Sequence, residues 1–171
     1  DVSVALPHNL DVVAGFDISK HVATSEYRHF VASNGSPIAQ QTHFDQTGVS
    51  AGVRYSLLGR GRAISRYAFI PRRVVPYAGG GVSLRRYSLT QYGQFVDAVT
   101  LGVFTDSFLS DGWVMGPYLR GGVDLHVWRP VFLTMDGRYT WQHGALSSDF
   151  TGFDGIDLAG FHASTGFTFV F

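Results

Sequence analysis

Apolar side chains recur at every second position along most of this chain, a spacing that only an extended backbone places on one face. From Ala159 the odd positions read Ala159, Phe161, Ala163, Thr165, Phe167, Phe169 and Phe171, against Gly160, His162, Ser164, Gly166, Thr168 and Val170. Over residues 10–20, Leu10, Val12, Ala14, Phe16 and Ile18 oppose Asp11, Gly15, Asp17 and Ser19. Over 48–58, Val49, Ala51, Val53, Tyr55 and Leu57 oppose Ser50, Gly52, Arg54 and Ser56. Residues 117–128 and 131–141 repeat the arrangement, with Arg120, Asp124 and His126, then Thr134, Asp136 and Arg138, on the polar side. A chain so patterned folds as antiparallel β-structure, and its 171 residues suit one domain over 1–171.

The polar face decides what kind of β-protein the pattern predicts. A water-facing polar surface normally carries many Lys and Glu, yet the basic residues are twelve Arg and one Lys, the acidic ones twelve Asp and one Glu. Charged residues make up 15% of the chain, against about 25% in ordinary soluble domains. Compact Arg, Asp and His among Gly, Ser and Thr suit a narrow lumen whose charges pair, with the apolar face toward lipid. Aromatics near the strand ends (Tyr77, Tyr87, Tyr118, Trp128, Tyr139, Trp141, Phe169, Phe171) read as interfacial girdles. Zero net charge offers no general attraction for nucleic acid, and no Cys is present for disulfides, thiol catalysis or thiolate metal sites. The longest stretch without Asp, Glu, Lys or Arg, residues 29–44, is too polar for a spanning helix. No leader peptide opens the chain at Asp1, so any such segment is expected to precede this numbering.

The last eight residues, Ser164-Thr165-Gly166-Phe167-Thr168-Phe169-Val170-Phe171, add a second signal. Ser164, Gly166, Phe169 and Phe171 resemble the C-terminal insertion signal of bacterial outer-membrane barrels. The whole chain resembles the small barrels of the OmpA/OmpX kind in pattern. The resemblance implies an outer-membrane location with the C-terminus in the periplasm. It also implies contact with membrane lipid and lipopolysaccharide, and recognition by the barrel-assembly machinery.

Seven strand windows are expected, at 1–7, 10–26, 41–58, 75–91, 116–128, 131–146 and 156–171. Closed barrels of this kind have an even number. The expected fold is therefore an all-β, antiparallel up-and-down transmembrane barrel of eight strands, its first strand preceding Asp1. A hidden strand over 95–105 is the rival. Arg85-Arg86 breaks the alternation and suggests a bulge or the end of the buried span. The connection 59–74 is long for its side of the barrel.

Eight strands enclose a space that side chains fill. Asp11, Asp17, Arg54, Arg120, Asp124, His126, Asp136, Arg138 and His162 are therefore expected to form a lumen ion-pair network, since isolated buried charges are costly. The expected role is non-enzymatic: a plugged barrel with a structural, anchoring or interaction function. Arg60, Arg62, Arg66, Arg72 and Arg73 are candidate periplasmic contacts, and the loops around 26–30 and 94–113 candidate surfaces for a protein or glycan.

Alternatives are a narrow conduit for a small hydrophobic or ionic solute, a lipid-modifying hydrolase, and a soluble ligand-binding barrel. The hydrolase would draw on His143 and Ser147, but four residues of strand span about 13 Å, beyond hydrogen-bond reach. Gly79-Gly80-Gly81 lacks the Lys of a phosphate loop and suits close packing or curvature. The seven His show no metal-ligand spacing, and neither a metal nor another cofactor is expected.

Overall fold

His8 and Asn9 both adopt left-handed backbone (φ 65° and 62°) in a tight three-residue connection, and Leu6 N–H donates to Leu10 O across it. That turn starts a meander. In the computed structural model, which describes residues 1–31, 35–65, 68–97, 99–128, 130–152 and 154–170, eleven strands follow one another. They are β1 (Val2–Ala5), β2 (Leu10–Val31), β3 (Pro37–Ser56), β4 (Gly61–Ser65), β5 (Ala68–Pro71), β6 (Val74–Val96), β7 (Val103–Trp128), β8 (Val131–Thr140), β9 (His143–Gly144), β10 (Ile156–Asp157) and β11 (Gly160–Phe169). Seven of them form one antiparallel sheet in the order β1-β2-β3-β6-β7-β8-β11. The pairs β4–β5 and β9–β10 are separate ribbons.

The described strands do not close into the eight-stranded barrel expected from the sequence. No pairing joins β1 to β11 among the described residues. An odd number of antiparallel strands leaves these two running in the same direction, so the ladder that serves every other neighbour cannot join them. The outer-membrane, transmembrane and porin-like reading is corrected with it. Among the described residues both edges of the sheet leave backbone N–H and C=O groups without strand partners, which lipid hydrocarbon does not tolerate. Among the described residues no helix is long and apolar enough to cross a membrane. Among the described residues the sheet is open on one side, so these strands enclose neither the plugged lumen nor the conduit expected from the sequence.

The sheet is nevertheless bowed. Arg120 on β7 lies 3.1 Å from Asp1, at the foot of β1 four strands away, a separation of about 19 Å in a flat sheet. The result is a trough with charged and small residues inside and apolar side chains outside. Asp11 is 1% exposed, whereas Phe16 on the same strand is 62% exposed and Phe161 is 71%.

Several boundaries also differ. The expected loops at 27–40 and 92–115 are largely strand, because β2, β3, β6 and β7 run 20 to 26 residues. The proposed extra strand at 95–105 is the tip of the β6–β7 hairpin, where Val96 pairs with Val103. Arg85-Arg86 marks no bulge: the β6–β7 register is continuous, Arg85 turns inward and Arg86 outward to Asp111, 3.6 Å away.

Candidate functional site

The trough is ordered in tiers. In the lowest, Arg54 sends Nε and Nη2 to Asp11 Oδ2, both at 3.0 Å, and Nη1 to Asp124 Oδ2 at 3.2 Å. Arg60 pairs with the other oxygen of Asp11, and Thr134 donates to Asp124 at 2.7 Å. Burial lowers the pKa of Arg60 from its ordinary value. In the next tier Arg120 meets Asp136 through Nε and Nη2 and Asp1 through Nη1, each at 3.1 Å. The Tyr77 hydroxyl donates to Asp136 at 2.7 Å, beneath the guanidinium of Arg54. Burial and then this hydrogen bond push the Tyr77 phenol well above its ordinary pKa.

Above them, Arg85 lies 3.5 Å from Asp17 and donates to Gln46 at 3.1 Å. Arg138 sits over the Tyr118 ring at 4.0 Å and donates to Ser50 at 3.4 Å. The upper end is closed by the segment after β8. Buried Gln142 donates to both the carbonyl and the hydroxyl of Ser83, and Tyr87, Val114 and Leu158 form a small apolar cluster inside the trough.

Of the nine candidate lumen residues, Asp11, Arg54 and Asp124 share one network, and Arg120 and Asp136 another. Asp17, Arg138 and His162 line a common cavity of about 600 Å³ with Arg85 and Arg120. His126 packs against Phe132, ring centroids 5.0 Å apart, and its Nε2 is buried with no hydrogen-bond partner among the described residues. Sequence reasoning missed Arg85 and Asp1, and Arg60, expected among the periplasmic contacts, turns back from its connection to Asp11 in the trough.

It also misplaced three aromatics. Tyr77, Tyr87 and Tyr118 are not girdle residues but nearly fully buried inward groups. Glycines make room for them. A Cβ at Gly122 would lie 2.6 Å from the Tyr77 hydroxyl, one at Gly52 2.5 Å from that of Tyr118, and one at Gly112 3.0 Å from the Tyr87 ring. Inward glycines beside inward-parity tyrosines were the available signal.

Of the terminal signal residues, Ser164, Gly166 and Phe169 lie in β11, and Phe171 is outside the described residues. Of the arginine cluster, Arg72 and Arg73 are exposed, while Arg66 and the side chain of Arg62 lie outside the described residues. The hydrolase candidates are engaged separately: His143 lies 3.4 Å from Asp157, and the Ser147 hydroxyl donates to the Leu109 carbonyl.

No family model matches the chain, and neither a curated protein nor a solved structure matches it. The resemblance to small outer-membrane barrels thus gains nothing from relatives and is overturned by the open sheet.

Proposed function

We propose that this chain is a non-enzymatic binding protein whose outward sheet face associates with the hydrocarbon of amphiphiles or lipids, the inward charge networks serving to hold the trough's shape. The observation that carries this reading is the inverted distribution of side chains. Asp11, Ser83, Ser110 and Asp124 are buried, while Phe16, Ile18, Val53, Val82, Met115, Leu119, Phe161 and Phe167 are each more than half exposed. Single exposed apolar residues are normal; a face of them running across successive strands marks a contact surface. Between β3, β6 and β7 this face carries a shallow groove walled by Val49, Ala51, Val82, Leu84 and Met115. Alkyl chains conform to such a broad, featureless surface without demanding a matched shape. The free edges of β1 and β11 keep access to water, so the chain associates with the apolar phase along a face and does not span it.

The test is chromatography with light-scattering and refractive-index detection, in plain buffer and in dodecyl maltoside. The expected result is self-association in buffer and, in detergent, a monodisperse protomer carrying bound detergent of the order of its own 18.7 kDa mass. A monodisperse protomer in plain buffer that takes up no detergent would contradict the reading.

A further inference from the structure

β1 pairs with β2 only opposite residues 11–14, so beyond Ala14 β2 has no neighbour on that side among the described residues, and β11 has β8 on one side alone. The 600 Å³ cavity lies beside both edges. It is lined by Phe16, Asp17 and Ile18, consecutive on β2, and by Gly160, Phe161 and His162, consecutive on β11. Consecutive strand residues point to opposite faces, so a cavity that touches them all lies on neither face. It runs edge-on between the two strands, beyond Asp1 at the start of β1.

Hydrogen bonds at the strand ends show which backbone groups face it. Leu6 N–H donates to Leu10 O and Ser56 N–H to Asn9 O, so even-numbered residues of β2 turn toward β1 and odd-numbered ones toward β3. The β2–β3 register is unbroken from Leu10 to Glu26, which leaves N–H and C=O of Phe16 and Ile18 facing the gap without a strand partner among the described residues. On β11, Leu158 N–H donates to Gln142 O and Val170 N–H to Pro130 O. Even-numbered groups therefore face β8, and those of Phe161 and Ala163 face the gap.

The side chains offer no net charge to select a ligand: Arg85, Arg120 and Arg138 line the cavity with Asp1, Asp17 and Asp136, three against three. What is unmet is backbone pairing on two sides, and an open strand edge accepts another strand. β1 shows what such a strand carries beside β2. Val2 and Val4 lie outward opposite Ala14 and Val12, with Ser3 between them opposite inward Val13. A segment continuing that line sets apolar side chains beside Phe16, Ile18 and Phe161, and its inward ones beside Asp17, His162 and Ser164, where small hydroxyl groups fit.

We infer that the gap is a β-strand acceptor, taking an extended, uncharged segment of a partner protein that alternates apolar with small hydroxyl side chains, pairs antiparallel with β2 and is flanked by β11. About six residues suffice, matching residues 16–21 of β2 beside the cavity. The site uses strand edges and not the outer face, so it stands separately from the hydrocarbon reading.

Hydrogen exchange by NMR and fluorescence anisotropy test it, in dodecyl maltoside to occupy the outer face, with an end-blocked, fluorophore-labelled heptapeptide alternating valine and serine. Binding is expected to saturate at one per chain. The amides of Phe16 and Ile18 are expected to exchange at least tenfold more slowly, while that of Asp17, already committed to β3, is unchanged. The same peptide N-methylated at its valines keeps its apolar groups, loses the donors that β2 would use, and is expected to bind at least tenfold more weakly. Ile18→Pro removes a donor that points into the gap and none that β3 uses, and is expected to weaken the parent peptide about tenfold. Should that variant not fold, Ser164→Trp, at an exposed position, fills the cavity and is expected to weaken it to a similar degree. Unprotected amides at Phe16 and Ile18 overturn the inference, as does equal affinity for the two peptides or affinity unaltered by the folded variant. Each of these leaves the proposed function standing, whereas failure to take up detergent removes that reading alone.

Discussion

Arg54→Met destabilises the fold by about 3–5 kcal/mol in urea unfolding, the range for removing one member of a buried ionic cluster. Arg54 neutralises two acids, Asp11 and Asp124, which are 1% and 7% exposed. Without it Asp124 keeps Thr134 and the charge of Arg60 without a salt bridge to it, and Asp11 keeps only Arg60 among the described residues. Methionine preserves the length and apolar bulk of the side chain, so the loss reports the stranded charges more than a cavity. One control separates these causes. The deficit shrinks in the triple variant Arg54→Met, Asp11→Asn, Asp124→Asn, because removing all members of a buried ionic cluster costs less than removing one. A deficit undiminished in the triple variant would mean that packing, not charge, holds this tier.

Gly52→Val costs about 3 kcal/mol or more, while Ala51→Val, one residue away, stays within about 0.5 kcal/mol. A Cβ at position 52 is driven against the Gly80 carbonyl oxygen and lies 2.5 Å from the Tyr118 hydroxyl, inside the trough. Tyr118→Phe does not rescue the variant, since the carbonyl obstructs it independently. Ala51 points outward beside Val49 and Val53, where the two added methyl groups meet open surface. Comparable losses at 51 and 52 in parallel denaturation curves would contradict the assignment of faces.

The strands were legible because alternation is a local signal. Asp11, Arg54, Asp124 and Asp136 carry their inward direction in their parity, and the His8-Asn9 turn is announced by its residues. What was not legible is how strands end and what their ends meet. Whether β11 finds β1 depends on the parity of the strand number, which no window of sequence contains. Strand length was underestimated because β6 and β7 continue their ladder past Gln91 into polar residues that look like loop. Tyr77, Tyr87 and Tyr118 were assigned by residue type to an interface when their parity placed them inside. Arg60 belongs to no alternating segment, so nothing local aims it at Asp11.

Because the chain has no Cys, single thiols can be placed without background. A fluorophore on Leu119→Cys, with the protein in detergent, tests most directly whether the outward face meets hydrocarbon while the inward face is shielded. Detergent with brominated alkyl chains is predicted to quench that fluorophore strongly and aqueous iodide weakly, whereas a thiol at Ser83→Cys stays unlabelled until the protein is unfolded. Ready labelling at position 83, together with iodide quenching and no bromine quenching at 119, would contradict the account.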